Sequence, residues 1–292
     1  MTDSLILRLP ESEAHDAVWV VFDGAAQRPG TPQGGPLSLA APIAAGKRVI
    51  VLVPGVEVLL AEPELPVRGS AKLAQLVPFA LEEQLASDVE SMHFALGKRA
   101  AIGTGTPVAA VPRERMDNWI AMLAQAQLSP QAIYADSAAV PSNPGQSVLL
   151  IEGDRLYVRH PGQLPMVLDA QPLTEALELA GLFTEGTPRS AIAYLSQSDW
   201  HSHQSTFEAI RNRLESLKVQ LLPYGALPLL ANEVMAHPPT NLMQGVYAPR
   251  SEAGNAWRTW RVAAILLAAL VGLNLVSKGI DLWRYGKQER AL

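Results

Sequence analysis

The chain has 292 residues, 48% hydrophobic and 17% charged, enough to bury one large or two medium cores. Residues 1–256 carry 17 Lys and Arg against 26 Asp and Glu, a net −9, whereas residues 257–292 carry 6 against 2, a net +4. An acidic body speaks against a nucleic-acid surface, which needs a basic face, and the absence of cysteine excludes a disulfide framework and any Cys-based metal site.

The first residues, MTDSLILRLPESEAHD, have no basic segment followed by an apolar one, so they are not read as a signal peptide. Ser4–Leu9 alternates and ends at Pro10, which predicts a strand, with Ala17–Phe22 as its hairpin partner. Residues 25–46 are rich in Pro and Gly and predict a loop with a short strand at Leu37–Ala40. Arg48–Val53 is a continuous apolar run stopped by Pro54-Gly55, as in a central strand covered on both faces. Glu57–Leu65 predicts a further strand, with Pro63 at its edge.

Ala71–Val89 keeps helical spacing, but Pro78 either kinks the helix or starts a second one. Met92–Leu96 and Val108–Val111 predict strands around a Gly-Thr-Gly-Thr-Pro turn. Pro112 then opens a helix with Met116, Trp119, Ile120 and Leu123 on one stripe. Ser129-Pro130 ends it before a short strand, Ala132–Tyr134, and the loop Asp136–Gln146 is the best internal boundary.

Beyond that loop the architecture begins again. Ser147–Ile151 and Arg155–Arg159 predict a hairpin over Glu152-Gly153-Asp154. A helix follows Pro172 with Leu173, Ala176, Leu177 and Ala180, and then a strand at Ala191–Leu195. Phe207, Ile210, Leu214 and Leu217 predict another helix, and Val219–Leu222 a strand. Hairpins followed by alternating helices and strands in both halves predict an α/β protein of two similar lobes, 1–138 and 139–250.

The candidate chemical sites are sparse. Asp199-Trp200-His201-Ser202-His203 offers two imidazoles and a carboxylate, but without a further carboxylate at helical spacing it reads as a polar loop. Gly103-Thr104-Gly105-Thr106 lacks the Gly-Lys-Ser/Thr ending of a phosphate loop. Glu82/Glu83 and Asp88/Glu90 read either as a solvated face or, beside apolar Phe79 and Leu85, as a protein-binding one.

The stretch Trp257–Tyr285 differs from everything before it. Its centre, Val262–Val276, is uncharged, and Asn274 alone interrupts its apolar character. Arg261 and Lys278 flank it and can snorkel to the headgroups; Trp257 and Trp260 precede it, Trp283 and Tyr285 follow it. As a helix, Trp257 to Trp283 would be about 39 Å long, close to the full bilayer thickness. The segment predicts a single span over 257–280, with Asn274 available to bond another helix. With no signal peptide ahead of it, the large domain is expected to remain cytoplasmic, and the basic flank to meet anionic lipid.

Three stretches together resemble the L protein of bacterial type II secretion systems (the GspL family). They are Val53-Pro54-Gly55 and Leu65-Pro66 with the run Gln75–Glu90 ending in His93-Phe94-Ala95; Asn241-Leu242-Met243-Gln244-Gly245-Val246-Tyr247; and Trp257-Arg258-Thr259-Trp260-Arg261. The resemblance implies a single-pass scaffold of the bacterial inner membrane whose cytoplasmic part has a two-lobed actin-like (RNase H-like) fold without a working nucleotide site. It implies recruitment of the secretion ATPase (the E protein) and pairing with the M protein, with the F protein, membrane lipid and a second copy as further partners. Such a protein is not an enzyme and takes no cofactor or metal.

Partner contacts are expected at Phe79, Glu82, Glu83, Asp88, Asn241, Gln244 and Tyr247. Residues 281–292 would begin the periplasmic segment, whose ferredoxin-like domain is not in this chain.

The residues at the expected nucleotide positions agree with lost chemistry. An actin-like ATPase needs Asp-x-Gly-Thr/Ser on its first hairpin, where this chain has Pro10-Glu11. Its second phosphate hairpin reads Glu152-Gly153-Asp154-Arg155, and no Gly-Gly turn follows Ala191–Ser196. Without those amides and a metal-holding carboxylate, phosphoryl charge has no preorganised stabilisation. The alternatives are an actin-like nucleotide-binding ATPase or sensor at the membrane, and a pilus-assembly adaptor of the PilM type, whose members lack a fused span.

Overall fold

The computed structural model describes residues 2–12, 15–65, 70–98, 105–187, 189–249 and 266. Apart from Leu266, the predicted span therefore lies outside the described residues, as do its anchors Trp257, Trp260, Arg261, Asn274, Lys278 and Trp283, and Pro66, Gly103 and Thr104. Among the described residues, no helix is long and apolar enough to cross a membrane. Residues Met1–Tyr247 form one compact unit, to which the following description applies.

In chain order the elements are β1 (Ser4–Arg8), β2 (Ala17–Asp23), β3 (Arg28–Pro29), β4 (Gln33–Gly35), α1 (Ala41–Ala44), β5 (Arg48–Val53) and β6 (Leu59–Ala61). Next come α2 (Ser70–Leu81), β7 (Met92–Leu96), β8 (Val108–Pro112), α3 (Arg113–Gln125) and β9 (Ala132–Ala135). After the boundary loop follow β10 (Ser147–Glu152), β11 (Arg155–Arg159), β12 (Met166–Asp169), α4 (Leu173–Leu179), β13 (Ser190–Leu195), α5 (Gln197–Arg211), β14 (Ser216–Leu221) and α6 (Leu227–Ala236).

Two sheets repeat one plan. The first has order β3-β2-β1-β5-β9, with β4 also on β2, and the second β12-β11-β10-β13-β14. In each, an antiparallel hairpin meets two parallel strands: Leu7 faces Trp19 and Val51, and Leu150 faces Tyr157 and Tyr194. A third, antiparallel sheet, β6-β8-β7, carries α2. The fold is mixed α/β, with the two-fold repetition of hairpin and parallel strands that the sequence predicts.

The apolar runs explain the layering. In β5, Val49, Val51 and Val53 enter a core with α3, while Ile50 and Leu52 enter a second core shared with β10, Tyr157 and α6. A strand buried on both faces needs an unbroken apolar run. The far face of the second sheet packs against α4 and α5 through Leu177, Phe207 and Ile210.

Several boundaries depart from expectation. Residues 25–46 form β3, β4, a 3₁₀ turn at Leu37–Leu39 and α1; no strand forms at Leu37–Ala40. The strand expected over Glu57–Leu65 shrinks to β6, because Gly55–Glu57 closes a 3₁₀ turn first. Helix α2 continues through Pro78, whose missing amide frees the carbonyl of exposed Ala74, where water can reach it.

The Asp199–His203 segment is helix, not loop. Ser196 caps α5 by accepting the Asp199 amide at 3.1 Å while its hydroxyl donates to the Asp199 carboxylate at 2.7 Å. That Ser-x-x-Asp signal makes the polar stretch the solvent face of a helix. Leu217, read as helical, belongs to β14, where it faces Ala191. Strand β12 and helix α6 were not predicted.

Candidate functional site

Arg8, at the end of β1, stands between the two halves of the repeat. Its Nε donates to Asp136 Oδ2 at 2.9 Å, and its Nη2 lies 2.8 Å from the same oxygen and 2.9 Å from the Tyr157 hydroxyl. Nη1 is bonded to Glu152 of the second hairpin. Tyr157 in turn donates to Asp136 at 3.2 Å, and the other Asp136 oxygen accepts the Gly55 amide at 2.8 Å.

One cation thus faces two carboxylates in a largely dry setting, with the Asp136 side chain 2% exposed. Burial pulls the Arg8 pKa down, but the Asp136 and Glu152 charges overcome it and hold the guanidinium well above its ordinary value. Burial, reinforced by the Asp136 charge, raises the Tyr157 phenol.

A second pair lies alongside. Arg155 donates to both oxygens of Glu11 at 2.7–3.0 Å and is bonded to Asp169 on β12. Glu11 belongs to the segment leaving β1, and Glu152 and Arg155 flank a turn made possible by Gly153 at φ +60°. These are the two hairpins between which an actin-like ATPase would hold phosphates. In this chain they are tied to each other by side chains, and an arginine already neutralises the carboxylates. Among the described residues, no three His, Asp or Glu side chains converge as a metal site.

The Asn241–Tyr247 segment is an internal strap. Asn241 Oδ1 accepts the amides of Ile133 on β9 and of Met243, each at 3.0 Å. The Gln244 amide pairs with both main-chain groups of Leu96 on β7, at 3.1 and 2.9 Å, as a neighbouring strand would. Leu242 is fully buried, and its carbonyl accepts from His93 at 2.7 Å. Tyr247 stacks edge-on to His93 and donates to Asp117 at 2.8 Å.

The remaining predicted partner residues lie together elsewhere. Phe79 projects from α2 and is 73% exposed; Glu82 and Glu83 form the exposed 3₁₀ turn that follows, and Asp88 is exposed beyond it. Among the described residues, no hydrogen bond, ion pair or ring contact joins this group to Asn241, Gln244 or Tyr247. Arg8, Asp136, Tyr157 and Glu11 were missed in the sequence. They gave no local signal, because Arg8 meets its partners across 128 to 149 positions of chain.

The family model described as "Type II secretion system (T2SS), protein L" matches residues 5–250. Five relatives carry that protein's name, among them proteins of Pectobacterium carotovorum and Pseudomonas aeruginosa. The one from Pectobacterium carotovorum is 25% identical over 94% of this chain and 63% of its own length; the one from Pseudomonas aeruginosa is 29% identical over 89% and 58%. The chain thus spans about three-fifths of these two relatives.

Among solved structures, the cytoplasmic domain of EpsL, an inner-membrane component of the type II secretion system of Vibrio cholerae, superposes with a TM-score of 0.66 at 22% identity. The match covers 84% of this chain and all of that one. The PilM–PilN type IV pilus biogenesis complex matches at 0.58 and 14%, over 80% of this chain and 98% of that one. Both likenesses concern the fold. The family model spans nearly all of the compact unit Met1–Tyr247, and this chain belongs to the type II secretion system protein L family.

Proposed function

We propose that the chain is a non-enzymatic scaffold of the inner membrane that recruits the cytoplasmic secretion ATPase and couples it to the membrane platform for protein export. The observation that carries this reading is the Arg8–Asp136–Glu152 cluster with its Arg155–Glu11 companion. Ion pairs bridge the two hairpins that would have to receive phosphates and metal. A nucleotide would have to break them and bring its own charge beside Asp136.

On this reading the lobes 1–138 and 139–250 are cytoplasmic and 257–280 spans the membrane, anchored by Trp257, Trp260, Arg261, Lys278 and Trp283. Asn274 packs against the M protein or another span, and lipid surrounds the basic flank. The exposed Phe79, Glu82, Glu83 and Asp88 are offered to the ATPase, whereas Asn241, Gln244 and Tyr247 support that region from within.

The test is a pull-down of the full chain from detergent-solubilised membranes, with co-purified proteins identified by mass spectrometry. Retention of the ATPase and of an M-type partner is the expected result. Magnesium-dependent ATP binding lost on Glu152→Ala, with no ATPase retained, would replace the scaffold reading with a nucleotide sensor.

A further inference from the structure

Three side chains of β11, Arg155, Tyr157 and Arg159, share one face of the second sheet. Tyr157 packs that face towards α6. The first two have their partners: Arg155 holds Glu11 and Asp169, and Tyr157 holds Asp136. Arg159 lacks one. Its Nη1 donates to the Val140 carbonyl at 2.6 Å, but among the described residues neither Nε nor Nη2 has a partner, and Nε is shut off from solvent.

The electrostatics agree with a missing counter-charge. Burial lowers the Arg159 pKa below its ordinary value, and the charges of Glu233 and Glu62 oppose that shift only in part. Neither carboxylate is close enough to form an ion pair with Arg159, and Glu233 on α6 stands 3.3 Å from His237 instead. A guanidinium withdrawn from water is ordinarily paired, and an unpartnered one calls for an explanation.

Arg159 lines a cavity of about 650 Å³, a volume that holds a small-molecule ligand. The walls are the end of the third sheet, with Leu60 and Leu96, the β11–β12 connection at Leu164-Pro165, and the chain leaving α6 at Pro238-Pro239. Prolines have no amide to donate. Gln244 also lines the cavity, but its side-chain amide is bonded to both main-chain groups of Leu96. The walls are therefore apolar and poor in donors, with the Arg159 cation set among them.

We propose that this cavity binds a small apolar molecule ending in one carboxylate, with the carboxylate on the Arg159 guanidinium and the apolar body against Leu60, Leu164 and the prolines. The carboxylate supplies the acceptor that Nη2 lacks and a counter-charge in contact with the buried cation. Apolar walls select against a bare inorganic anion. Glu62 and Glu233, whose charges are both felt at Arg159, select against a second negative charge on the ligand. A molecule seated there would join the second sheet to the third and to the chain entering the Asn241–Tyr247 strap. The inference does not rest on ATPase recruitment, and either can fail alone.

Phenylacetate and its uncharged isostere phenylacetamide separate the two parts of the site. Each is titrated by ligand-observed NMR against the full chain in detergent micelles, with inorganic phosphate as the bare anion. Phenylacetate is expected to bind at least about tenfold tighter than phenylacetamide or phosphate. Arg159→Gln should bring phenylacetate to within about twofold of phenylacetamide, with unchanged circular dichroism. Leu164→Trp narrows the cavity and leaves Arg159 in place. It should abolish saturable binding of both probes, which separates the site from partition into the micelle.

Equal affinities for the acid and the amide, a preference that survives Arg159→Gln, or phosphate binding as tight as that of phenylacetate would overturn the proposal. So would saturable phenylacetate binding that Leu164→Trp leaves intact.

Discussion

Arg8 and Asp136 meet at 2.8 Å although 128 positions of chain separate them, and their contact joins the end of β1 to the segment leaving β9. Because Asp136 is almost fully buried, removing the cation leaves an unpaired charge that water cannot reach. Arg8→Met is expected to cost about 3–5 kcal/mol of unfolding free energy, measured in urea. Arg8→Met/Asp136→Asn should recover much of that loss, since the remaining amide oxygen can still accept from Gly55.

The neighbouring Arg155–Glu11 pair should behave differently. Its side chains are 25% and 34% exposed, so water and salt compete with the contact. Glu11→Gln is expected to cost less than about 1 kcal/mol at low salt. Most of that difference should vanish in denaturation melts at high ionic strength, whereas the Arg8→Met penalty should persist.

The two pairs mark the limit of what was legible in the sequence. β5, β10 and β13 announced themselves as apolar runs because both of their faces are buried, β1 as an alternating segment ended by Pro10, and α3 through the stripe of Met116, Trp119 and Leu123. Strand β12 could not be read so: its residues are half-buried or exposed and its register is set by β11. The Ser196–Asp199 cap was present in the sequence but was outweighed by the polar residues after it. Glu152 drew notice as part of a turn, but its partner Arg8 lies at the end of an ordinary strand. Only the pairing of the two sheets shows why a lone arginine is needed there.

His93 gives the body a pH dependence of known sign. Burial is the main cause that lowers its pKa, partly offset by the hydrogen bond to the Leu242 carbonyl. The unfolded chain therefore binds a proton more readily than the folded one below the ordinary value of 6.5. The stability from neutral His93 is fully present above that value and is lost as pH falls below it towards the folded value. Unfolding midpoints of the parent should drop between pH 7 and pH 5 more than those of His93→Gln, whose amide can still donate to Leu242.

The exposed face of α2 allows binding to be separated from folding. Phe79 contributes little to the core, and Glu82 and Glu83 sit on a solvated turn. Phe79→Ser and Glu82→Arg/Glu83→Arg should each change stability by less than about 0.5 kcal/mol. If this face receives the ATPase, both should weaken its retention in the pull-down at least about tenfold, roughly 1.4 kcal/mol. Normal retention by both variants would move the dock off α2.

Gly55 links the Val-Pro-Gly motif to the buried cluster through its lack of a side chain. A Cβ at this position would stand 2.8 Å from Asp136 Oδ1 and 2.5 Å from Ser137 Cβ. Neither neighbour is the loose end of a long side chain: Asp136 is held by Arg8, Tyr157 and the Gly55 amide, and Ser137 is buried in the 3₁₀ turn after it. Relief would have to come from the main chain, at the place where β5 hands over to the third sheet. Gly55→Ala is therefore expected to destabilise by about 1–3 kcal/mol, although alanine is small and the backbone angles at this glycine are ordinary. Combined with Arg8→Met, which frees the Asp136 side chain to turn away, the alanine should cost less than it does alone. A urea double-mutant cycle would measure that coupling, and strict additivity would mean that the Gly55 contact and the ion cluster are separate devices.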